Sequence, residues 1–497
     1  MMRKTIKLYM LMITIMVMIY SLPPTIVNAD TNDKINKIEQ FVEEQRAISK
    51  IPGIAVLVVE EGETVFQKGF GYADVKTKTP VTSDTLFEIG STTKAFTGLA
   101  ILQLEKDGLL DRSDDIQQYI PWLKLKYKSE LQPITIHQLL HHTSGIASNS
   151  IIHIPESNQN NAIEQTVKTL LEQPLNRKPG SSFEYATINY DVLGLIIEKV
   201  TKQPFDTYIK QRILEPINMN DSLVGLPQIK SAEMATGYKI GWMREQTYTP
   251  PIYRGNVPAG YIISNTNDIA KWLKLQLGIS QIYSIDKKII QESHIHDQSV
   301  EPFDKDTYYA SGWAVMDKDE KQYLFHAGEN PTFTSYFIMQ PDEKFGVAVL
   351  SNMNSSFTTA IGKGVMGLWE GKNVTTNHSD SYQKLDKVVT ILCIVVASLG
   401  VILGLLLMRN VLKIKKKQRI GVSLSGKRIF LLIIHSMSVA AIVTLMIMFP
   451  KAKGLTWEFI KVWAPTSISA LFYFVIVTGI IYYLYGLLLL FTKRNKF

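Results

Sequence analysis

A single cysteine, Cys393, stands in 497 residues. One sulfur can form neither an intrachain disulfide nor a dithiol redox pair, and it cannot build a cysteine-based zinc site. Charge is also scarce. Asp, Glu, Lys and Arg make up 20% of the chain against 46% hydrophobic residues, a balance that excludes a disordered polyelectrolyte and calls for a packed core. Residues 30–384 contain no internal repeat and no low-complexity tract. Histidines cluster at His141-His142 and at His294-Ile295-His296-Asp297, but neither group is completed by a further ligand at helical spacing, so no metal and no cofactor is expected.

The charge that is present is mostly positive, 53 Lys+Arg against 45 Asp+Glu, for a net +8. Its placement excludes nucleic acid as a partner. Residues 1–29 carry a net +3 and residues 385–497 a net +13, so the segment 30–384 holds −8. The basic residues therefore lie at the two ends, and the central domain is acidic.

Both ends read as membrane-directed. Arg3, Lys4 and Lys7 precede an apolar run from Leu8 to Leu22 and a small residue at Ala29, the pattern of a signal peptide spanning 1–29. Three apolar segments, Val388–Met408, Ile429–Phe449 and Thr466–Phe491, each cover the ~30 Å hydrocarbon layer at ~1.5 Å per residue. Between the first two lie Arg409, Lys413, Lys415, Lys416, Lys417, Arg419, Lys427 and Arg428 without an acid, and Lys493, Arg494 and Lys496 follow the third. The positive-inside rule puts these in the cytoplasm and the block 30–384 outside. The expectation is a multi-pass cell-membrane protein with an extracytoplasmic domain at 30–384, a three-helix membrane unit at 385–497, and membrane lipid around it. His435, inside the second span, is read as a neutral, hydrogen-bonded group.

Within 30–384, Ile54–Val59 reads as a buried strand that pairs as a hairpin with Thr64–Tyr72. Tyr323–His326, Thr334–Met339 and Phe345–Leu350 supply three more strands. Strands at both ends of the domain around a helix-rich middle predict an α/β fold, a sheet layer with an inserted helical region.

Ser91 and Lys94 stand three apart at the start of the apolar stretch Ala95–Ala100. On a helix they share one face, with Ser91 where N–H groups favour negative charge. A serine needs a base to become a nucleophile, and a buried lysine can serve as one. Alone, this spacing is equally that of a helix cap with a solvated lysine.

Further segments follow in order: Thr135–Ile146 containing His141-His142-Thr143-Ser144-Gly145, Pro179–Gly194 containing Tyr185-Ala186-Thr187, Pro258-Ala259-Gly260, and His326-Ala327-Gly328. Together with Ser91-x-x-Lys94 they resemble the serine β-lactamase and penicillin-binding protein superfamily, class C-like branch, over the whole central domain. The resemblance implies an antiparallel sheet flanked by helices and acyl transfer at an amide or ester. In it, Ser91 is the nucleophile, Lys94 its activating partner and Tyr185 the general base that shuttles a proton to the leaving amine. His326 and Gly328 mark the substrate-binding strand, and the N–H groups of Ser91 and Glu329 form the oxyanion hole.

Two features narrow the resemblance. Thr187 stands where the family carries asparagine, which disfavours penicillin hydrolysis, and three spans follow the catalytic domain. Both are similar to membrane-bound peptidases that release N-acyl-D-asparagine from exported nonribosomal peptide–polyketide prodrugs, the colibactin-maturation type. By that resemblance Glu88, Thr187, Asn256 and Asn330 contact the D-asparagine carboxamide. The implied partners are an acylated D-amino-acid peptide-like substrate and an exporter. A cell-wall D-peptidase, a weak β-lactamase, an esterase and a non-catalytic β-lactam sensor are the competing readings.

Overall fold

The computed structural model describes residues 29–225, 233–279, 285–318, 320–423 and 425–495; of the signal-peptide segment only Ala29 lies within them. Eight antiparallel strands form the main sheet: β1 (Gly53–Glu60), β2 (Glu63–Asp74), β3 (Thr79–Pro80), β4 (Thr307–Tyr309), β5 (Ala314–Lys318), β6 (Lys321–Glu329), β7 (Thr334–Gln340) and β8 (Phe345–Ser351). Their spatial order is β4-β5-β6-β7-β8-β1-β2-β3. The hairpin expected from the sequence is β1–β2, its turn made by Glu61 and Gly62, both at positive φ.

β1 closes the domain by pairing with β8, Val56 opposite Val349. Its run of apolar residues follows from burial on both faces. Ala55, Leu57 and Val59 enter one core, while Ile54, Val56 and Val58 enter another, as the two-residue period of a strand requires. The second core is covered by α1 (Ala29–Ser49) through Ile38, Phe41 and Val42, and by α4 (Phe357–Trp369) through Phe357, Ile361 and Val365. The first core receives the inserted helical region, including α2 (Lys94–Lys106) and α3 (Ile188–Thr201).

Beyond the sheet come α5 (Ser381–Lys415), α6 (Gly426–Ala452), α7 (Trp457–Trp463) and α8 (Thr466–Phe491). α5, α6 and α8 are long and apolar enough to cross a membrane. They leave side chains such as Val401, Met437 and Leu445 exposed, a surface that lipid would cover. α5 packs on α8 where Gly400 leaves no room for a Cβ beside Thr478, whose Oγ1 donates to the Val396 carbonyl at 3.2 Å. His435 Nε2 lies 3.3 Å from the Tyr483 carbonyl, so it is hydrogen-bonded as read from the sequence. α7 was not foreseen, since the Pro450–Pro465 segment reads only as a connection.

The catalytic-side domain meets one end of this bundle. A hairpin of Tyr238–Gly241 and Arg244–Thr247 turns through Trp242 and Met243, both at positive φ. The buried Asp386 carboxylate on α5 accepts from the Trp242 and Met243 N–H groups (3.1 and 2.6 Å) and from Ser467 Oγ on α8 (2.6 Å). Lys239 Nζ donates to the Lys461 and Val462 carbonyls at 3.0 and 2.9 Å. Arg419–Gly421 pairs with Thr492–Arg494 at the cytoplasm-predicted ends of α5 and α8.

Candidate active site

A short strand, Phe87–Glu88, pairs with Ile262–Ser264 and delivers the chain into a tight 3-10 turn, Gly90–Thr93, which runs directly into α2. Ser91 sits in that turn and Lys94 begins the helix. Gly90 is at φ +54°, and a Cβ there would fall 2.6 Å from the Glu329 N. A Cβ on Gly328 would in turn collide with the Ile89 carbonyl and Ser335 Oγ. The Ile89 carbonyl also accepts from Ser335 Oγ (2.6 Å) and Thr92 Oγ1 (2.7 Å). Two glycines thus allow the nucleophile turn to lie flat against β6, with the Glu329 N–H beside it.

β6 offers an edge at the same place. Its pairing with β5 ends at Phe325, opposite Ala314, whereas its pairing with β7 continues to Glu329. His326–Glu329 therefore leaves one side of the strand unpaired among the described residues, the side on which an extended substrate can add main-chain hydrogen bonds.

Lys94 is fully buried, which excludes the solvated-lysine alternative. Its Nζ lies 3.0 Å from Ser91 Oγ, 3.0 Å from Thr187 Oγ1 and 2.8 Å from the Ala259 carbonyl. Burial lowers its pKa to about 7, opposed by the Asp191 carboxylate, so near neutral pH a large fraction carries a lone pair. Tyr185 packs its ring 5.2 Å from Lys94 Nζ. The Tyr185 hydroxyl is buried with no hydrogen-bond partner of ordinary geometry among the described residues. Burial raises its pKa, with Ser91 the polar group acting against that rise, so the resting phenol is protonated.

Histidines and tyrosines hold this wall. His326 Nδ1 lies 2.7 Å from the Ala327 carbonyl and therefore donates, which leaves Nε2 to accept from Tyr309 Oη at 2.9 Å. Burial lowers the His326 pKa to about 3, so the ring is neutral. His142, at φ +56°, accepts at Nδ1 from Asn189 Nδ2 (2.9 Å) and the Ala186 N–H (3.3 Å). Its ring lies 4.3 Å from that of Tyr185.

The substrate-contact candidates divide. Glu88 and Asn330 come together: Asn330 Nδ2 donates to Glu88 Oε2 at 2.7 Å and to the Gly260 carbonyl at 2.9 Å. Burial raises the Glu88 pKa to about 7, and the amide donor holds it from rising further. Thr187 is engaged by Lys94. Asn256 meets Asp191: with its amide nitrogen facing the carboxylate it lies 2.9 and 3.1 Å from the two oxygens, so one amide hydrogen is shared between them and the other is left for a further acceptor.

Asp191 is the residue the sequence did not single out. It is fully buried, and burial raises its pKa well above the usual carboxylate range while Lys94 pulls it down. The available signal was an acid four residues after Thr187, just ahead of the apolar run Val192–Ile197 of the same helix. Among the described residues no three His, Cys, Asp or Glu side chains are grouped to hold a metal ion.

A family model described as Beta-lactamase matches residues 38–363. The chain belongs to the Beta-lactamase family. That family comprises serine hydrolases acting on amide bonds, and the match ends before α5. The chain is 35% identical over 327 residues to Protein flp of Staphylococcus aureus (strain N315), covering 66% of this chain and 65% of that protein. It thus spans about two-thirds of the length of that relative. It is 25% identical over 380 residues to N-acetylmuramyl-L-alanine amidase of Bacillus subtilis (strain 168), covering 66% of this chain and 84% of that one. The octameric penicillin-binding protein homologue from Pyrococcus abyssi matches it with a TM-score of 0.61 at 29% identity, over 71% of this chain and 81% of that chain.

Proposed function

We propose that this Beta-lactamase-family hydrolase is a membrane-anchored, extracytoplasmic peptidase that releases N-acyl-D-asparagine from an exported nonribosomal peptide–polyketide prodrug. The observation that carries the reading is the buried Glu88–Asn330 pair, with Glu88 three residues before Ser91 on the strand that leads into its turn. Both Asn330 amide hydrogens go to Glu88 and the Gly260 carbonyl, so the remaining Glu88 oxygen and Asn330 Oδ1 present two acceptors, in a site shielded from water, to the two donors of a primary amide. Asp386 and Lys239 fasten the catalytic domain to the membrane unit, which supports anchoring.

In the proposed reaction Ser91 Oγ attacks the D-asparaginyl carbonyl while neutral Lys94 takes its proton. The N–H groups of Ser91 and Glu329 receive the developing oxyanion. Protonated Tyr185 gives its proton to the departing amine and is reprotonated from Lys94. Water then cleaves the Ser91 ester along the same proton path, freeing the N-acyl-D-amino acid.

The test is hydrolysis of an N-acyl-D-asparaginyl amide by the full-length protein in detergent, against its L-isomer and against D-alanyl-D-alanine peptides. Cleavage of the D-asparaginyl amide by Ser91→Ala at the wild-type rate, or none by the wild type, refutes the reading. The relative named N-acetylmuramyl-L-alanine amidase favours cell-wall amide hydrolysis as the second reading, and preferential cleavage of an N-acetylmuramyl-L-alanine amide would establish it.

A further inference from the structure

A cavity lies where the catalytic domain meets the membrane unit. It encloses about 590 Å³, is walled on one side by Ile152, Ile154 and Pro251 and on the other by Phe459, Val462 and Trp463 of α7, and ends inward at Asn256 and Tyr261. Phe459, Val462 and Trp463 follow helical i, i+3, i+4 spacing and so form one stripe. The opposite side of α7 is held to α8 by Trp457, whose ring lies 5.0 Å from that of Phe472. Asn256 and Tyr261 are buried, whereas Thr249, Glu156 and Glu458 at the other end are exposed. The space therefore runs from an open rim beside the bundle to the back of the active site. Asn256 bonds Asp191, and it immediately precedes Val257–Gly260, whose Ala259 carbonyl holds Lys94.

We infer that this cavity holds the acyl chain of an N-acyl-amino-acid amide substrate and admits it from the outer face of the membrane. The inference rests on the proposed function for the acylated substrate and adds where the chain goes. Three observations select an aliphatic chain. Each wall carries a stripe of apolar side chains, with Glu458 and Lys461 of α7 and Glu156 among the polar residues that also line the space; the volume falls in the range of small-molecule sites, and one wall is a tryptophan-bearing helix between two apolar spans, where indole rings mark the bilayer interface. A chain entering along α7 passes from lipid to protein without crossing water, while its amide end reaches the Asn256 side.

The test uses the full-length Ser91→Ala protein in nanodiscs and a photoreactive N-dodecanoyl-D-asparaginyl amide bearing a diazirine on the chain. Labelling is expected in the peptides around 151–154, 249–253 and 457–463. It should fall at least fivefold with Thr249→Trp, which fills the rim from an exposed position, and with Ile152→Asp. In the active protein, octanoyl should exceed acetyl substrates in kcat/KM by at least tenfold, a small part of the about fourfold per methylene that full burial from water gives. Both variants should erase that advantage while sparing the acetyl substrate. Label confined to α5, α6 and α8, or displaced by phospholipid and not by unlabelled N-octanoyl-D-asparaginyl amide, overturns the inference and makes this a lipid site or no site. If no D-asparaginyl amide is turned over, the proposed function fails, and the labelling pattern still decides whether the cavity takes an acyl chain.

Discussion

In the proposed reaction the charge state of Lys94 sets the pH range over which Ser91 can be activated, and Thr187 is the lever that moves it. Burial takes the lysine from its ordinary 10.5 to about 7, a shift worth about 5 kcal/mol at ~1.36 kcal/mol per unit. At neutral pH this raises the neutral fraction about a thousandfold over a solvated lysine. Below about pH 7 the ammonium form dominates and cannot accept the Ser91 proton, so kcat should fall tenfold per unit as pH drops and level off above. Thr187 Oγ1 is one of three acceptors around Nζ. Replacing it with valine keeps the shape and removes an acceptor of the charged form.

A hydrogen bond to a charged group is worth about 1.5–3 kcal/mol, so Thr187→Val should move the acid limb of kcat down by about one to two units. The assay is kcat against pH at saturating substrate, which separates Lys94 from Glu88: ionisation of Glu88 near the same pH acts through KM. Glu88→Gln is therefore expected to flatten the KM profile and leave the kcat limb in place. An acid limb that stays at about 7 or rises in Thr187→Val refutes the assignment of that limb to Lys94.

Other predictions follow from the same geometry. Gly328→Ala places a Cβ against the Ile89 carbonyl and Ser335 Oγ; it should lower kcat/KM at least a hundredfold, with thermal unfolding showing whether the fold is kept. Asp386→Ala strands the buried Ser467 hydroxyl and two N–H donors on the more exposed Trp242–Met243 turn, at about 1–3 kcal/mol for the buried hydroxyl left unpaired; faster proteolysis near residue 243 with retained hydrolysis of short soluble substrates is the expected pattern. Leu57→Ala in the central strand should cost about 2–5 kcal/mol of stability by leaving a cavity, read by denaturant unfolding of the solubilised protein. Ser91→Ala should abolish the covalent adduct that wild type forms with a slow substrate, seen as intact mass.

The hairpin β1–β2, β6, β7 and β8, and three helices able to span a membrane were legible in the sequence because apolar runs and turn residues report local geometry. The same holds for the Ser91–Lys94 spacing, since three residues on a helical path lie on one face whatever surrounds them. α7 escaped notice because seven residues between prolines carry too short a period to separate from a loop. The contact of Asn256 with Asp191, 65 positions away, escaped notice for a different reason, since no local pattern announces it.

Tertiary structure alone decided the chemistry of the site. Whether Lys94 is a cation in water or a base depends on Thr187 and Ala259, which are 93 and 165 residues distant, because desolvation is set by what packs around a group. Glu88 meets Asn330 across 242 residues, and the free edge of β6 exists only because β5 stops pairing at Ala314. The sequence determined the elements and which end carries three helices apolar enough to cross a membrane; burial, assembled from parts remote in the chain, turned a serine three residues from a lysine into a candidate catalytic pair.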